Sequence, residues 1–262
     1  MLVIIRKISK SDFNCMKIKN IFSKLAFASV VLLVSCSSDE PTTNIDNPNG
    51  IPSQSTVQAM VELSGTSGFA LLAGSAITST GATNITGNMG LSPGTSIGGF
   101  PPGILVGTRE INTNLSTQGK VDLTAAYNDA AGRTATDRVT LSGNIGGLTL
   151  TPGLYMTTSS LAISSGDVTF DAEGKSSSVF IIQIASALTT TSGRKVFLKR
   201  GALASNIFWQ VGSSATFGTT SVMKGTILAM QSITFNTGAT LDGRALARTG
   251  GIVLAGNTIV NQ

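Results

Sequence analysis

The chain has 262 residues with 18 Lys/Arg against 13 Asp/Glu, but the formal net charge of +5 is a local surplus. Residues 1–36 hold six of those cations and one acid, so residues 37–262 carry twelve of each sign and are neutral. Neutrality removes the electrostatic case for a nucleic-acid partner or an acidic membrane surface, and a chain without His lacks the commonest general base and metal ligand.

The first element is a leader. Lys17, Lys19 and Lys24 precede the apolar run Leu25–Val34, which ends in Ser35 and Cys36; basic, apolar and small-residue regions in that order form an export signal. Its core is shorter than the roughly 20 apolar residues of a spanning helix. Met16 opens a more conventional signal than Met1. Leu33-Val34-Ser35-Cys36 resembles the bacterial lipobox, which implies a lipid anchor on Cys36; the alternative is ordinary cleavage nearby and free secretion. The chain is therefore expected to be exported, and either secreted or anchored at the outer cell surface. Residues 37–55 are polar and read as a flexible tether. Cys15 and Cys36 are the only cysteines, so no disulfide is expected to hold the remaining body together.

Residues 56–262 read as one all-β domain rich in Gly (30 in the chain) and Thr (33), with few helix formers outside one stretch. Phe69-Ala-Leu-Leu, Ala76-Ile-Thr-Ser-Thr and Asn84-Ile-Thr-Gly-Asn-Met are short strands. A helix is predicted over about 117–132, with Val121, Leu123, Ala125 and Tyr127 (and Ala130, Ala131) as its apolar stripe and Asp122 and Asp129 outside. Leu150-Thr-Pro-Gly-Leu-Tyr155 is a turn leading into a strand. From there three strand types recur. The first comprises Ala187-Leu-Thr189, Ala215-Thr-Phe217, Ile233-Thr-Phe235 and Ile252-Val-Leu254, the last three 18 and 19 residues apart. A second set starts at Val179, Ile207, Thr226 and Arg244, and a third at Lys195, Ser221, Ala239 and Thr258.

Three short strands per turn predict a coil of triangular section, stacked in parallel on its neighbours. The expected fold is a discontinuous, roughly triangular, right-handed parallel β-solenoid with one long helix packed alongside. A β-sandwich of similar composition would need hairpin turns that the sequence lacks.

Catalytic groups are sparse. Asp167, Asp171, Glu173 and Asp242 are the candidates for paired carboxylates, but Asp167 and Asp171 flank a short strand in a Gly-rich setting and read as turn residues serving local N–H groups, and no metal or cofactor site is expected. Thr189, Thr216 and Thr234 instead fall at matching places on successive coils, beside Thr191, Thr219 and Asn236. Their methyls and hydroxyls would form a preorganised array suited to a crystalline ligand, although Thr is also simply a good exposed strand residue. Val253 ends this column. Carbohydrate adhesion is less well supplied, with Trp209, Tyr127 and Tyr155 as the only Trp and Tyr platforms.

The runs Ser79-Thr-Gly-Ala-Thr-Asn-Ile-Thr-Gly-Asn-Met, Asn206-Ile-Phe-Trp-Gln-Val-Gly-Ser-Ser-Ala-Thr216, Gly225-Thr-Ile-Leu-Ala229 and Gly243-Arg-Ala-Leu-Ala247 resemble the widespread microbial ice-binding protein family, over about residues 60–262. The resemblance implies a secreted, non-enzymatic solenoid whose partner is an ice crystal surface. It also implies that Trp209 and Gln210 are architectural. Family ice faces carry Thr-Ala/Gly-any-Thr/Asn tetrads, matched by Thr80-Gly-Ala-Thr83 and Thr237-Gly-Ala-Thr240 and, in its opening only, by Ser214-Ala-Thr-Phe217. The ice-binding candidates are then Thr78, Thr80, Thr83, Thr189, Thr191, Ser214, Thr216, Thr219, Thr234, Asn236, Thr237 and Thr240. A monomer with no nucleic-acid partner is expected; the alternative is a surface-adhesion or structural solenoid.

Overall fold

Alternating side chains and frequent turn residues close the chain into three-sided coils, seen in a computed structural model that describes residues 51–261. The leader, Cys36 and residues 37–50 lie outside the described residues. All strand ladders among those described are parallel, as stacked coils require.

The coils are stacked out of sequence order. One end of the stack begins with Val139–Thr140 and Thr149–Leu150, and coils follow through to the last strand, Thr258–Val260. The N-terminal strands then continue the stack on that last coil. Leu71 lies opposite Ala245, Ile77 opposite Ile252 and Asn84 opposite Thr258, so all three sides are joined at this seam. The expected discontinuous solenoid is present.

Its first face includes Gly153–Thr157, Phe180–Ile184, Ile207–Val211 and Phe69–Ala73, with the second halves of Val222–Ala229 and Thr240–Ala247. The second face runs Leu161–Ile163, Leu188–Thr190, Ala215–Phe217, Ile233–Phe235, Ile252–Ala255, Ala76–Thr80, Ser96–Gly98. The third includes Val168–Asp171, Val196–Lys199, the first halves of the two long strands, Thr258–Val260, Asn84–Thr86 and Ile104–Val106. The long strands turn between faces at Gly225 and Gly243, where φ is +108° and +141°. A Cβ on Gly243 would fall 2.0 Å from the Gly225 carbonyl oxygen, so only glycine stacks at this corner.

Inward side chains fill one continuous core. Trp209 is fully buried, edge-on to Phe170 at 5.5 Å, and its Nε1 donates to the Lys224 carbonyl at 2.9 Å. The first face is buried on both sides, because its outward Leu72, Leu154, Ile181, Phe208, Leu228 and Leu246 pack under the helix. That helix, Asn114–Gly132, connects the far end of the stack to the end where the Val139 coil begins.

It begins earlier than the sequence predicts, since the Thr113 hydroxyl caps it by accepting from the Ser116 N–H. Its buried stripe is Ser116, Gly119, Leu123, Ala126, Tyr127 and Ala130. Val121 is 59% exposed, and Ala125 and Ala131 also face outward. Small residues won those inner places because the helix lies tight on Phe69; even a Cβ at Gly119 would sit 3.0 Å from that ring. At its C-terminus Gln183 Nε2 donates to the carbonyls of Ala130, Ala131 and Arg133, which the helix itself leaves unpaired. Gln210 Nε2 donates to the Tyr127 hydroxyl at 2.8 Å.

Three other expectations need correction. Strand register is off by one residue in two sets: on the first face Phe180, not Val179, lies opposite Ile207, and Phe208 lies opposite Thr226, and on the third Val222, not Ser221, lies opposite Lys195, and Thr240, not Ala239, opposite Thr258. The earlier coils are longer than 18–19 residues: Leu161 aligns with Leu188 and Leu188 with Ala215, 27 residues each. The end of the supposed tether is fixed to the domain. Ile51 enters the core, Gln54 Oε1 accepts from Leu154 N–H, and Asp137 accepts from Ser55 and Thr56 N–H at 2.6 and 2.8 Å. Those bonds from Thr56 and Ser55 hold the Asp137 carboxyl well below the usual carboxylate range.

Lys120 ties the helix to the seam, donating to the carbonyls of Ala247 (2.6 Å) and Arg248. Burial, with Arg248 nearby, lowers its pKa to about 8 from 10.5. The folded chain thus releases this proton before the unfolded chain does, so the residue's contribution to stability rises with pH between about 8 and 10.5 and is lost again as pH falls through 8. Urea midpoints at pH 7.5 and 10 for wild type and Lys120→Met should show the wild-type advantage growing at the higher pH; an equal or shrinking advantage would contradict the assignment.

Candidate functional site

The second face gains its regularity from residues beneath it. Leu188, Ala215, Ile233, Ile252 and Ile77 form one inward row, and Phe217 and Phe235 stack below it with ring centroids 4.8 Å apart. Strand alternation then points the intervening side chains outward. The resulting central row is Ala162, Thr189, Thr216, Thr234, Val253, Thr78 and Gly98, each in register with the next. From Thr189 to Thr78 it presents five successive β-branched side chains, a span of about 19 Å at ~4.8 Å per strand. Val253 does not end the column, as the sequence suggests; Thr78 continues it across the seam.

On either side, about 6.6 Å away at two residues' rise, run further small uncharged side chains. Ser214 and Ser232 lie toward the first face; Thr191, Asn236, Ala255 and Thr80 lie toward the third. Thr219 and Thr237 are exposed at the corners after their strands. No Lys, Arg, Asp or Glu occurs in the segments that form this face and its corners: 74–82, 94–100, 158–166, 185–193, 212–220, 230–238 and 249–257. This face therefore has no side chain that titrates.

Two candidates fall elsewhere. Thr83 is fully buried: its hydroxyl accepts from Ser79 Oγ at 2.7 Å and from Asn257 N–H at 3.2 Å. Thr240 opens the third face, opposite Val222 and Thr258. Both tetrads straddle a corner, at Gly81 (φ +71°) and Gly238 (φ +70°), so their two ends cannot share one plane. Asn257, also fully buried, completes the corner by donating from Nδ2 to the carbonyls of Asn236 (2.8 Å) and Ala239 (2.9 Å). Thr83 and Asn257 thus bond three successive coils, two of them across the seam.

The other faces differ in kind. The first lies under the helix. The third carries the Lys224–Asp242 pair at 2.9 Å, exposed Lys195 and Lys199, and Phe197. Two further carboxylates serve the fold, chiefly between coils and not within one turn as expected: Asp167 accepts from Lys195 N–H on the next coil, and Asp171 from Arg200 Nε on the next coil (2.6 Å) as well as from the local Glu173 N–H. Burial works against the charge on Asp171, but Arg200 and the Glu173 N–H outweigh it and keep its carboxyl below the ordinary range. No group of three or more potential metal ligands occurs among the described residues. Trp209, Tyr127 and Tyr155 are all buried, leaving no Trp or Tyr ring for sugar stacking.

A family model described as Ice-binding-like matches residues 71–260. The chain is 42% identical over 205 residues to an ice-binding protein from Nostoc sp. (strain HG1), covering 78% of this chain and 75% of that one. To an ice-binding protein from Flavobacterium frigoris (strain PS1) it is 33% identical, over 93% of this chain and 99% of the other. Among solved structures, an ice-binding protein from an Antarctic biological consortium superposes with a TM-score of 0.80 at 68% identity, covering 80% and 95% of the two chains.

The buried corner generates a test. Thr83→Val should lower stability by about 1–3 kcal/mol, because Ser79 Oγ and the Asn257 N–H lose their shared acceptor. A lower urea midpoint and faster exchange of the Asn257 amide are expected. An unchanged midpoint would mean that the Thr83 hydroxyl faces solvent.

Proposed function

Because this chain belongs to the Ice-binding-like family, we propose that its second face adsorbs to ice and thereby slows crystal growth and recrystallisation. The observation that carries this reading is the in-register row from Thr189 through Thr216, Thr234 and Val253 to Thr78. Each contact between such a side chain and frozen water is weak. A row helps only if its members arrive together, which the ladders ensure before the crystal is met. β-Branched side chains are stiff at χ1, so little rotamer freedom is lost on contact.

Absence of charge on the face matters as much. Ammonium and carboxylate groups hold liquid water strongly, and a crystal would have to strip that water away. Hydroxyls and methyls on short stems impose a much smaller cost and do not protrude. Thr78, Thr80, Thr189, Thr191, Ser214, Thr216, Thr234 and Asn236 are the proposed contacts, with Thr219 and Thr237 at the rim. Adsorption of this kind requires no cofactor, bond rearrangement or second copy, so the chain acts as a non-enzymatic monomer. Export follows from the leader, and acylation of Cys36 would hold the domain at the cell surface.

Purified protein in a cooled droplet should facet ice crystals and open a gap between melting and freezing. Thr216→Tyr and Thr234→Tyr should each reduce that gap by roughly tenfold, because a protruding ring holds the neighbouring members of the array off the crystal. Their β-rich circular dichroism should persist, since both side chains point outward. Unaltered discoid crystals at high wild-type concentration would defeat the proposal. Separately, cells expressing the full chain should incorporate a fatty-acid analogue into the wild type and not into Cys36→Ser; equal labelling would exclude Cys36 as the anchor.

A further inference from the structure

Residues 37–262 are neutral as a whole, but their charges are not spread evenly over the three faces. The third face carries Lys195, Phe197 and Lys199 along one strand, at alternate positions and all exposed. Strand alternation puts the three side chains on one side of the sheet, with the lysines about 13 Å apart at four residues' rise. Phe197 is 46% exposed, and its neighbour in register, Thr169, is too short to cover it. Nor do carboxylates neutralise the lysines. Asp167 pairs with Arg194, Asp171 with Arg200 and Asp242 with Lys224, whereas Lys195 and Lys199 make no ion pair among the described residues.

An apolar ring between two free ammonium groups matches the boundary of an anionic bilayer. There the ring enters the edge of the acyl region, while the lysine stems lie beside it and their heads reach lipid phosphate. Overall neutrality does not oppose this, because such attraction acts within a Debye length and is set by the local charges. The chain also arrives beside this strand. Residues 54–58 line one cavity with Glu173, Lys175 and Ser177, and the Gly174 N–H donates to the carbonyl of Arg200, next to Lys199, at 2.9 Å. Cys36 and Ile51 are separated by residues 37–50, fourteen in all, which is at most about 50 Å of chain. An acyl group on Cys36 would keep this end of the stack close to the bilayer and raise the effective concentration of any face able to meet it.

We propose that the strip of Lys195, Phe197 and Lys199 docks on the anionic headgroup surface of the membrane that holds Cys36. This rests on the acylation of Cys36, and it adds an orientation to the anchor. With the third face down, the second face turns away from the bilayer, since the two meet at the corner formed by Gly81 and Gly238. The threonine row then points outward, where a crystal would approach.

Phe197→Trp in the full chain places a reporter at the contact, and the fully buried Trp209 adds a background that the wild type measures. Vesicles of phosphatidylglycerol and phosphatidylcholine in equal parts should shift the reporter emission to the blue; vesicles of phosphatidylcholine alone should not. Lys195→Gln and Lys199→Gln in the reporter chain should each weaken the affinity read from this shift by roughly fivefold. Added salt should weaken the reporter chain more than the double variant. Melting curves establish that each variant is folded. The leader binds lipid equally in every variant, so differences between variants belong to the third face.

No shift on the anionic vesicles, or an equal shift on neutral ones, would overturn the proposal. A larger shift with dissolved alginate than with vesicles would overturn it in favour of an acidic polysaccharide. Fatty-acid labelling of wild type against Cys36→Ser reads the anchor separately. Labelled protein whose reporter ignores anionic vesicles would leave the anchor standing and remove the docking.

Discussion

Register between stacked coils is the constraint on which the rest of this molecule depends. A slip of one residue in any ladder would exchange the inner and outer side chains of that strand, placing Thr216 in the core and Phe217 in water. The core prevents it by filling successive layers with side chains that fit only in line, as Phe217 and Phe235 do. Residues 51–261 contain no cysteine, so non-covalent contacts, not disulfides, hold the described body together. The level outer row is the visible side of that inner alignment.

Topology decides which face remains free. The chain builds coils at one end of the stack, must reach the other end, and does so through the helix Asn114–Gly132. Its small inner residues bring it close to the first face, and Gln183, Gln210 and Lys120 bond it there. The first face is thereby removed from contact with any extended solid. On the third face, Lys195 and Lys199 stand out from the strand and keep their hydration. The second face is left as the surface without charge, so its role follows from the path of the chain as well as from its threonines.

Much of this was legible in the sequence, and the misses have physical causes. The alternation in Ile233-Thr-Phe235 and Ala215-Thr-Phe217 fixes both phase and face, because one side of those strands is wet. The first-face strands Phe180–Ile184 and Ile207–Val211 are buried on both sides and show no alternation, so their sequence carries no phase to fix register to the residue. The 27-residue coils were hidden by the extra chain at 172–179 and 200–206, between the third face and the first. Thr83 looked like the partner of Thr80 because spacing along a chain does not reveal a corner, and only the left-handed backbone at Gly81 turns one threonine outward and the other in. Pattern alone also could not show that Gly119 would be preferred over Val121 against the solenoid. Closeness of approach decided that, not hydrophobicity.

The seam joins the stability of the fold to the strength of the site. Thr78 and Thr80 belong to a segment more than one hundred residues away in sequence from Thr189, Thr216 and Thr234, yet they stand in one in-register sheet with them. A rigid array gains from each added contact because the others have already positioned it, as linked binding modules gain from effective concentration. If the Phe69–Ala73 coil separated from the Thr240–Ala247 coil, the row would become two shorter arrays that no longer act together. The buried corner of Thr83 and Asn257 opposes that separation from inside, and Lys120 opposes it from the helix. Neither touches the outer face, yet both set how many side chains can meet a crystal at once.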